Sequence, residues 1–120
     1  MPVRSSDSFP MEAVPAGTAT ARQVLIGPGQ APNFALRKFI MEPGGGMPLH
    51  TNTVEHEQYV LRGRARVVIG GEVLEVKKDD VVYIPGGIPH SYEALGDEPF
   101  EFLCAVPNLP DETIIVSEEG

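Results

Sequence analysis

The chain contains three histidines, His50, His56 and His90, and each lies where glycine and proline bracket a strand-like run. Imidazole is among the commonest ligands for first-row metal ions, and several imidazoles converging on one point make a metal site with open positions for chemistry. His50, Asn52 and His56 share parity, so in an extended segment their side chains point to one face. His90 ends the run Pro85-Gly86-Gly87-Ile88-Pro89-His90, a turn-rich entry to a later strand that could bring it to the same point. An isolated histidine is more often a hydrogen-bonded structural or surface residue than a ligand, and spacing alone leaves both readings open. The placement of all three in two bracketed stretches favours ligation.

The elements that must position these residues are strands. Glycines and prolines, 13 and 12 of them in 120 residues, interrupt nearly every window that could carry a helical period. What remains is a series of β-rich runs: 22–26, 34–41, 57–61, 65–69, 73–76, 81–84, 91–94, 100–106 and 113–116. Short strands at close spacing predict an all-β sandwich or barrel. Alternation puts Ala65, Val67 and Ile69 on one face against Arg64 and Arg66 on the other, and Phe100, Phe102 and Cys104 against Glu101. Gly70-Gly71 predicts a tight hairpin, and Pro43–Gly46, Pro85–Gly87 and Gly96–Pro99 predict further turns. Residues 1–21 read as a flexible arm or an edge strand, and residues 22–120 as a single domain.

Composition narrows the function classes. With 17 acidic and 9 basic residues the net charge is −8, and no Lys/Arg cluster is long enough to track a phosphate backbone, so nucleic acid is not an expected partner. No apolar run approaches the roughly 20 residues needed to cross a bilayer, so no membrane is expected either. The first 21 residues lack the apolar core of a secretory signal, and the lone Cys104 has no partner for an internal disulfide; the expected compartment is the cytoplasm.

Two segments, Gly44–Gly63 and Asp79–Ala94, resemble the two motifs of the cupin superfamily, G-x5-H-x-H-x3-4-E-x6-G and G-x5-P-x-G-x2-H-x3-N. Gly44, His50 and Gly63 match the first, and Pro85, Gly87 and His90 the second. Asn52 stands where the pattern has its second histidine, and His56 where it has glutamate. Asp79 replaces the opening glycine of the second motif and Ala94 its closing asparagine. The run is similar to small single-domain cupins whose metal is held by four histidines, with one ligand changed to Asn52. The resemblance implies a jelly-roll β-barrel (a double-stranded β-helix) holding one divalent ion, Mn or Fe foremost and Zn or Ni next, on His50, Asn52, His56 and His90. Asn52 would be a weak fourth ligand or a hydrogen-bond partner of the others. A cupin that binds no metal at this position is the alternative.

Strand parity and the resemblance assign Phe102 and Cys104 to a substrate pocket beside the metal; Tyr59 and Tyr92 join them for hydroxyls that could meet a ligand, and Arg37 for a guanidinium that could bind a carboxylate if it points inward, while Glu55 and Glu57 are expected to point outward. Each has a plainer reading: Tyr59 and Tyr92 as packing residues, Cys104 as a buried hydrophobe, Arg37 as a surface charge. The resemblance implies a metal centre that acts on a small organic substrate, and the shortage of acid–base groups besides the ligands leans towards oxygenase-type chemistry. Non-redox isomerisation or decarboxylation, and a non-catalytic small-molecule-binding module, are the alternatives. Small cupins commonly pair, so a homodimer is expected.

Overall fold

The computed structural model describes residues 2–116. After a one-turn 3-10 segment at Ser6–Ser8 come ten strands: β1 Glu12–Ala13, β2 Thr18–Ile26, β3 Phe34–Asn52, β4 His56–Arg62, β5 Arg64–Ile69, β6 Glu72–Lys77, β7 Val81–Ile84, β8 His90–Leu95, β9 Phe100–Pro107 and β10 Thr113–Ile115. Among the described residues no helix is long and apolar enough to cross a membrane.

The strands form one curled antiparallel array in the order β6-β5-β8-β3-β9-β4-β7, with β2 and β10 also pairing with β3 and β1 with β2. This is the jelly-roll barrel. Its organising element is β3, 19 residues long. The first half of β3, Phe34 to Met41, pairs with β9, and β2 runs along its other side. The second half passes into the opposing sheet, where Gly46 and Met47 pair with Glu93 and Tyr92 of β8, and His50 with His90. Beyond that, β10 closes on Asn52, Thr51 and His50.

The expected turn at Pro43–Gly46 is therefore corrected: the chain bends there without reversing. Between the pairs Thr18↔Gly46 and Thr20↔Met41 the register slips, so β3 carries extra residues opposite β2 and swings from one sheet to the other. Glycine permits the close approach, because a Cβ on Gly46 would lie 2.0 Å from the Tyr92 carbonyl oxygen. Turn-forming residues here provide a bulge that curves a continuous strand. At Gly70-Gly71 the tight reversal does occur, with φ of 57° and 87° joining β5 to β6.

Alternation along each strand sorts the faces. In β4, His56, Gln58 and Val60 are buried while Glu57 and Tyr59 are exposed. Phe100, Val60, Val67 and Ala65, all at most 1% exposed, fill the closed part of the barrel, and the equally buried Met41 and Phe102 face its open part. Burying one large apolar side chain of this kind is worth about 1.5–3 kcal/mol. The histidines sit at the other end, where β3 finishes and β4 and β8 begin. Towards the N-terminus, Gln23 Nε2 donates to the carbonyls of Ser6 (2.9 Å) and Phe9 (3.1 Å), fastening the 3-10 segment against β2.

A Cβ at Gly46 drives β3 off β8 directly upstream of His50. Gly46→Ala is expected to cost roughly 2–4 kcal/mol, measured as a lowered urea midpoint, whereas Gly29→Ala, where a Cβ meets nothing within 4 Å, leaves the midpoint near wild type.

Candidate metal centre

His50 and His90 are register partners on β3 and β8, so their rings face each other with centroids 4.2 Å apart. His56, opposite Ile84 at the start of β4, turns its ring edge towards His90 at 5.9 Å. All three are buried, at 4%, 7% and 1% exposure for His50, His56 and His90. Two of the rings are oriented by their own backbone. His50 Nδ1 lies 2.7 Å from the Pro48 carbonyl and His90 Nδ1 lies 2.9 Å from the Ile88 carbonyl. A carbonyl oxygen only accepts, so Nδ1 carries the proton in both and Nε2 keeps its lone pair for the cavity.

Asn52, one same-face step beyond His50, is oriented from the far end of the chain. Its Nδ2 donates to Thr113 Oγ1 (2.8 Å) and more weakly to Asp111 Oδ2 (3.4 Å). The Asp111 carboxylate is itself anchored by the backbone N–H groups of Thr53 (2.9 Å) and Val54 (3.3 Å). With the amide nitrogen engaged, Asn52 Oδ1 remains buried and without a partner, as do His56 Nε2 and His90 Nε2. Three orphaned polar atoms in one apolar barrel are costly unless something satisfies them.

These atoms border a cavity of about 440 Å³ lined by Arg37, Phe39, Met41, Met47, Gln58, Tyr92 and Phe102 as well as the histidines and Asn52. As the side chains stand, no three His, Cys, Asp or Glu residues among those described are gathered tightly enough to hold a metal ion. Ligand nitrogens at about 2.0–2.1 Å from a zinc-sized ion would require the rings to rotate inwards. The donor set nevertheless fits such an ion: neutral imidazoles, two with Nε2 freed by a backbone bond on Nδ1, and an amide oxygen. Burial keeps the His56 and His90 imidazoles neutral. Desolvation, helped by the Arg37 charge, lowers the His56 pKa to about 4. Desolvation also lowers that of His90 to about 4, against the opposing pull of its bond to Ile88.

Residues 37–106 match the cupin domain model. The chain belongs to the cupin family. Over 100 residues, 78% of its length, this cupin is 36% identical to the 1-methylthio-D-xylulose 5-phosphate methylsulfurylase of Rhodospirillum rubrum, and it spans 64% of that protein. It is 34% identical over 83 residues to the oxalate decarboxylase of Bacillus subtilis, 59% of this chain but 22% of that one. Among solved structures, the polyketide cyclase RemF of Streptomyces resistomycificus superposes with a TM-score of 0.85 at 30% identity, over 99% of this chain and 89% of that one.

The structure brings His50, Asn52, His56 and His90 to one cavity with Arg37, Tyr92 and Phe102 on its walls. It does not bring Tyr59. That side chain is 43% exposed on the outer face and donates to Asp79 Oδ1 at 2.9 Å, so its assignment to the pocket is corrected. The residue on the inner face is its neighbour Gln58, whose Nε2 donates to the Tyr92 hydroxyl at 2.7 Å. Parity with His56 was the signal that points to Gln58. Cys104 is fully buried behind the lining, its thiol 3.4 Å from Arg37 Nη2, and burial pushes its pKa up. Glu55 and Glu57 are exposed. Asp111 and Thr113, also on the cavity, carried no local signal. Asp79 takes φ 74°, the left-handed conformation that the glycine of the motif would supply.

With folded-state pKa values near 4 for His56 and His90 against 6.5 ordinarily, the unfolded chain binds more protons than the metal-free fold between those limits. Stability is therefore full above about pH 6.5 and falls as pH drops towards 4, by roughly 2–5 kcal/mol for the pair. Urea midpoints of chelator-treated protein from pH 7.5 to 4 are expected to show this slope, and His90→Gln to flatten it.

Proposed function

We propose that this cupin is an enzyme that holds one divalent metal ion on His50, His56 and His90, with Asn52 Oδ1 as a weaker oxygen donor, and acts on a small carbonyl compound in the cavity. The observation that carries the reading is the set of buried, unpartnered donor atoms on one cavity: His56 Nε2, His90 Nε2 and Asn52 Oδ1. A bound ion would supply Lewis acidity towards a carbonyl oxygen or, if redox-active, a centre for dioxygen chemistry.

The protein's own contribution can be traced residue by residue. Tyr92 is buried on the cavity wall, and desolvation raises its pKa well above the ordinary phenol value, so its hydroxyl stays protonated. Gln58 donates to that oxygen and fixes its position, which leaves the phenolic hydrogen available to a substrate oxygen. Phe39, Phe102, Met41 and Met47 form an apolar wall that limits water around the substrate. The stacking of Phe39 on Phe102 (5.2 Å) and of Phe102 on Tyr92 (5.4 Å) makes that wall a continuous aromatic surface suited to a flat or unsaturated ligand.

Non-redox chemistry is the preferred form of this reading. It is supported by a rigid neutral donor placed beside the imidazoles, the Tyr92 ring lying 5.9 Å from that of His90. Likeness to proteins named for a xylulose phosphate, oxalate and polyketide cyclisation also supports it, since these names describe carbonyl or carboxylate compounds. The oxygenase-type reading keeps its own support: the only carboxylate on the cavity, Asp111, is anchored at the rim, and no free inner carboxylate is positioned as a general base among the described residues. The proposed assembly is a homodimer, favoured by Tyr59, Val81 and Tyr83, which lie side by side on β4 and β7 and are 43%, 75% and 57% exposed.

Protein purified without a tag or added metal is expected to contain close to one divalent ion per chain by elemental analysis, lost in His56→Ala and bound more tightly in Asn52→His. Zinc or nickel would favour carbonyl polarisation, and iron or manganese with substrate-dependent oxygen uptake the oxygenase reading. Wild-type protein that takes up no metal even after soaking would overturn the enzyme proposal. On a sizing column the chain is expected to run as a dimer, and Val81→Asp to shift it towards monomer.

A further inference from the structure

Two guanidinium groups line the same cavity without a carboxylate partner among the described residues. Arg37 on β3 and Arg22 on β2 both border it. The β2–β3 register pairs Arg22 with Phe39 and Val24 with Arg37, which makes the two arginines diagonal neighbours on one face, roughly 7 Å apart along the strands. On the outside of the barrel, Lys38, Arg62, Arg64, Arg66 and Lys77 each meet a carboxylate within 4 Å. Arg22 and Arg37 meet none among the described residues. Asp111, the one carboxylate on this cavity among the described residues, is occupied by Thr53, Val54 and Asn52.

Arg37 is also held in place. Its Nη2 points at the Cys104 thiol, its guanidinium lies 5.1 Å from the Phe39 ring centre, and its Nε is buried with no partner. The thiol, whose pKa burial raises, leaves the guanidinium charge unbalanced. A half-buried cation of this kind is costly unless an anion meets it, and the planar guanidinium fits carboxylate and phosphate oxygens in pairs. The register Arg37↔Cys104↔Gln58 runs across β3, β9 and β4, and Gln58 lies one same-face step from His56. One small molecule can therefore span from the arginines to the imidazoles.

We propose that Arg37 and Arg22 form an anion subsite of the cavity, so that the substrate is a small organic acid or phosphate ester held by its charged group at the arginines with its reactive part at the histidines. This rests on the cavity's being the substrate site, as argued under Proposed function, but not on which metal it holds.

The test is titration calorimetry on the full chain, metal-loaded and chelator-treated, with benzoate, inorganic phosphate and the neutral benzamide as probes. The wild type is expected to bind benzoate or phosphate in both states and to prefer benzoate over benzamide. Binding should weaken about tenfold in Arg37→Gln, less in Arg22→Gln and Arg37→Lys, and persist in His56→Ala. A preference for phosphate assigns a phosphate ester, and for benzoate a carboxylic acid. Unchanged affinity in Arg37→Gln and Arg22→Gln, or anion binding that disappears on chelation and in His56→Ala, overturns the subsite; the second result places the anion on the metal. Should Arg37→Gln fail to fold by circular dichroism, Arg37→Lys and Arg22→Gln decide on the same criteria. Anion binding intact in protein that takes up no metal would separate failure of the metal reading from failure of this one.

Discussion

The pairing of the second half of β3 with β8 is the constraint on which the site depends. Gly46 lets the two backbones approach so closely that any side chain there would collide with the Tyr92 carbonyl. Past that contact the register slips by one residue between Met47 and His50, which sets His50 opposite His90. A strand that ended at Met41 would leave His50 in a loop, with no partner to hold it against another imidazole. The bend at Gly44–Gly46 thus couples the barrel's closure to the placement of its buried polar groups.

Those groups sit in an environment that would ordinarily reject them. Phe39, Phe102, Met41 and Met47 make the walls apolar, and the histidines and Asn52 are at most 7% exposed. The fold meets part of the cost with backbone carbonyls for two Nδ1 atoms and with Thr113 and Asp111 for the Asn52 amide. The atoms left over face inwards. Polar atoms unsatisfied in a cavity signal something the cavity is built to receive, because their desolvation is otherwise uncompensated. The same reasoning applies to Arg37 Nε and links the two ends of the cavity.

Local pattern carried much of this. The expected strands fall on observed ones, often extended by a few residues, because period-two alternation is imposed by the pleat itself. It failed where composition and parity disagreed. The hydroxyl of Tyr59 suggests a pocket residue, but Tyr59 shares the parity of exposed Glu57, whereas Gln58 shares that of His56. Pro43–Gly46 has the composition of a turn, but whether such residues reverse a strand or bulge it depends on the partner strands, and β2 and β8 both hold β3 extended there.

By itself, then, the sequence determined the strand faces, the Gly70-Gly71 hairpin and the candidate donors His50, Asn52, His56 and His90, since side-chain chemistry and alternation are properties of neighbouring residues. Only the tertiary structure decided that Thr113 of β10 and the preceding Asp111 capture Asn52, that Gln58 fixes the Tyr92 hydroxyl, and that Arg22 and Arg37 share a face without a carboxylate among the described residues. Each of these depends on the register between strands distant in the chain. That register is selected by the closure and packing of the whole barrel, and no short stretch of sequence encodes it.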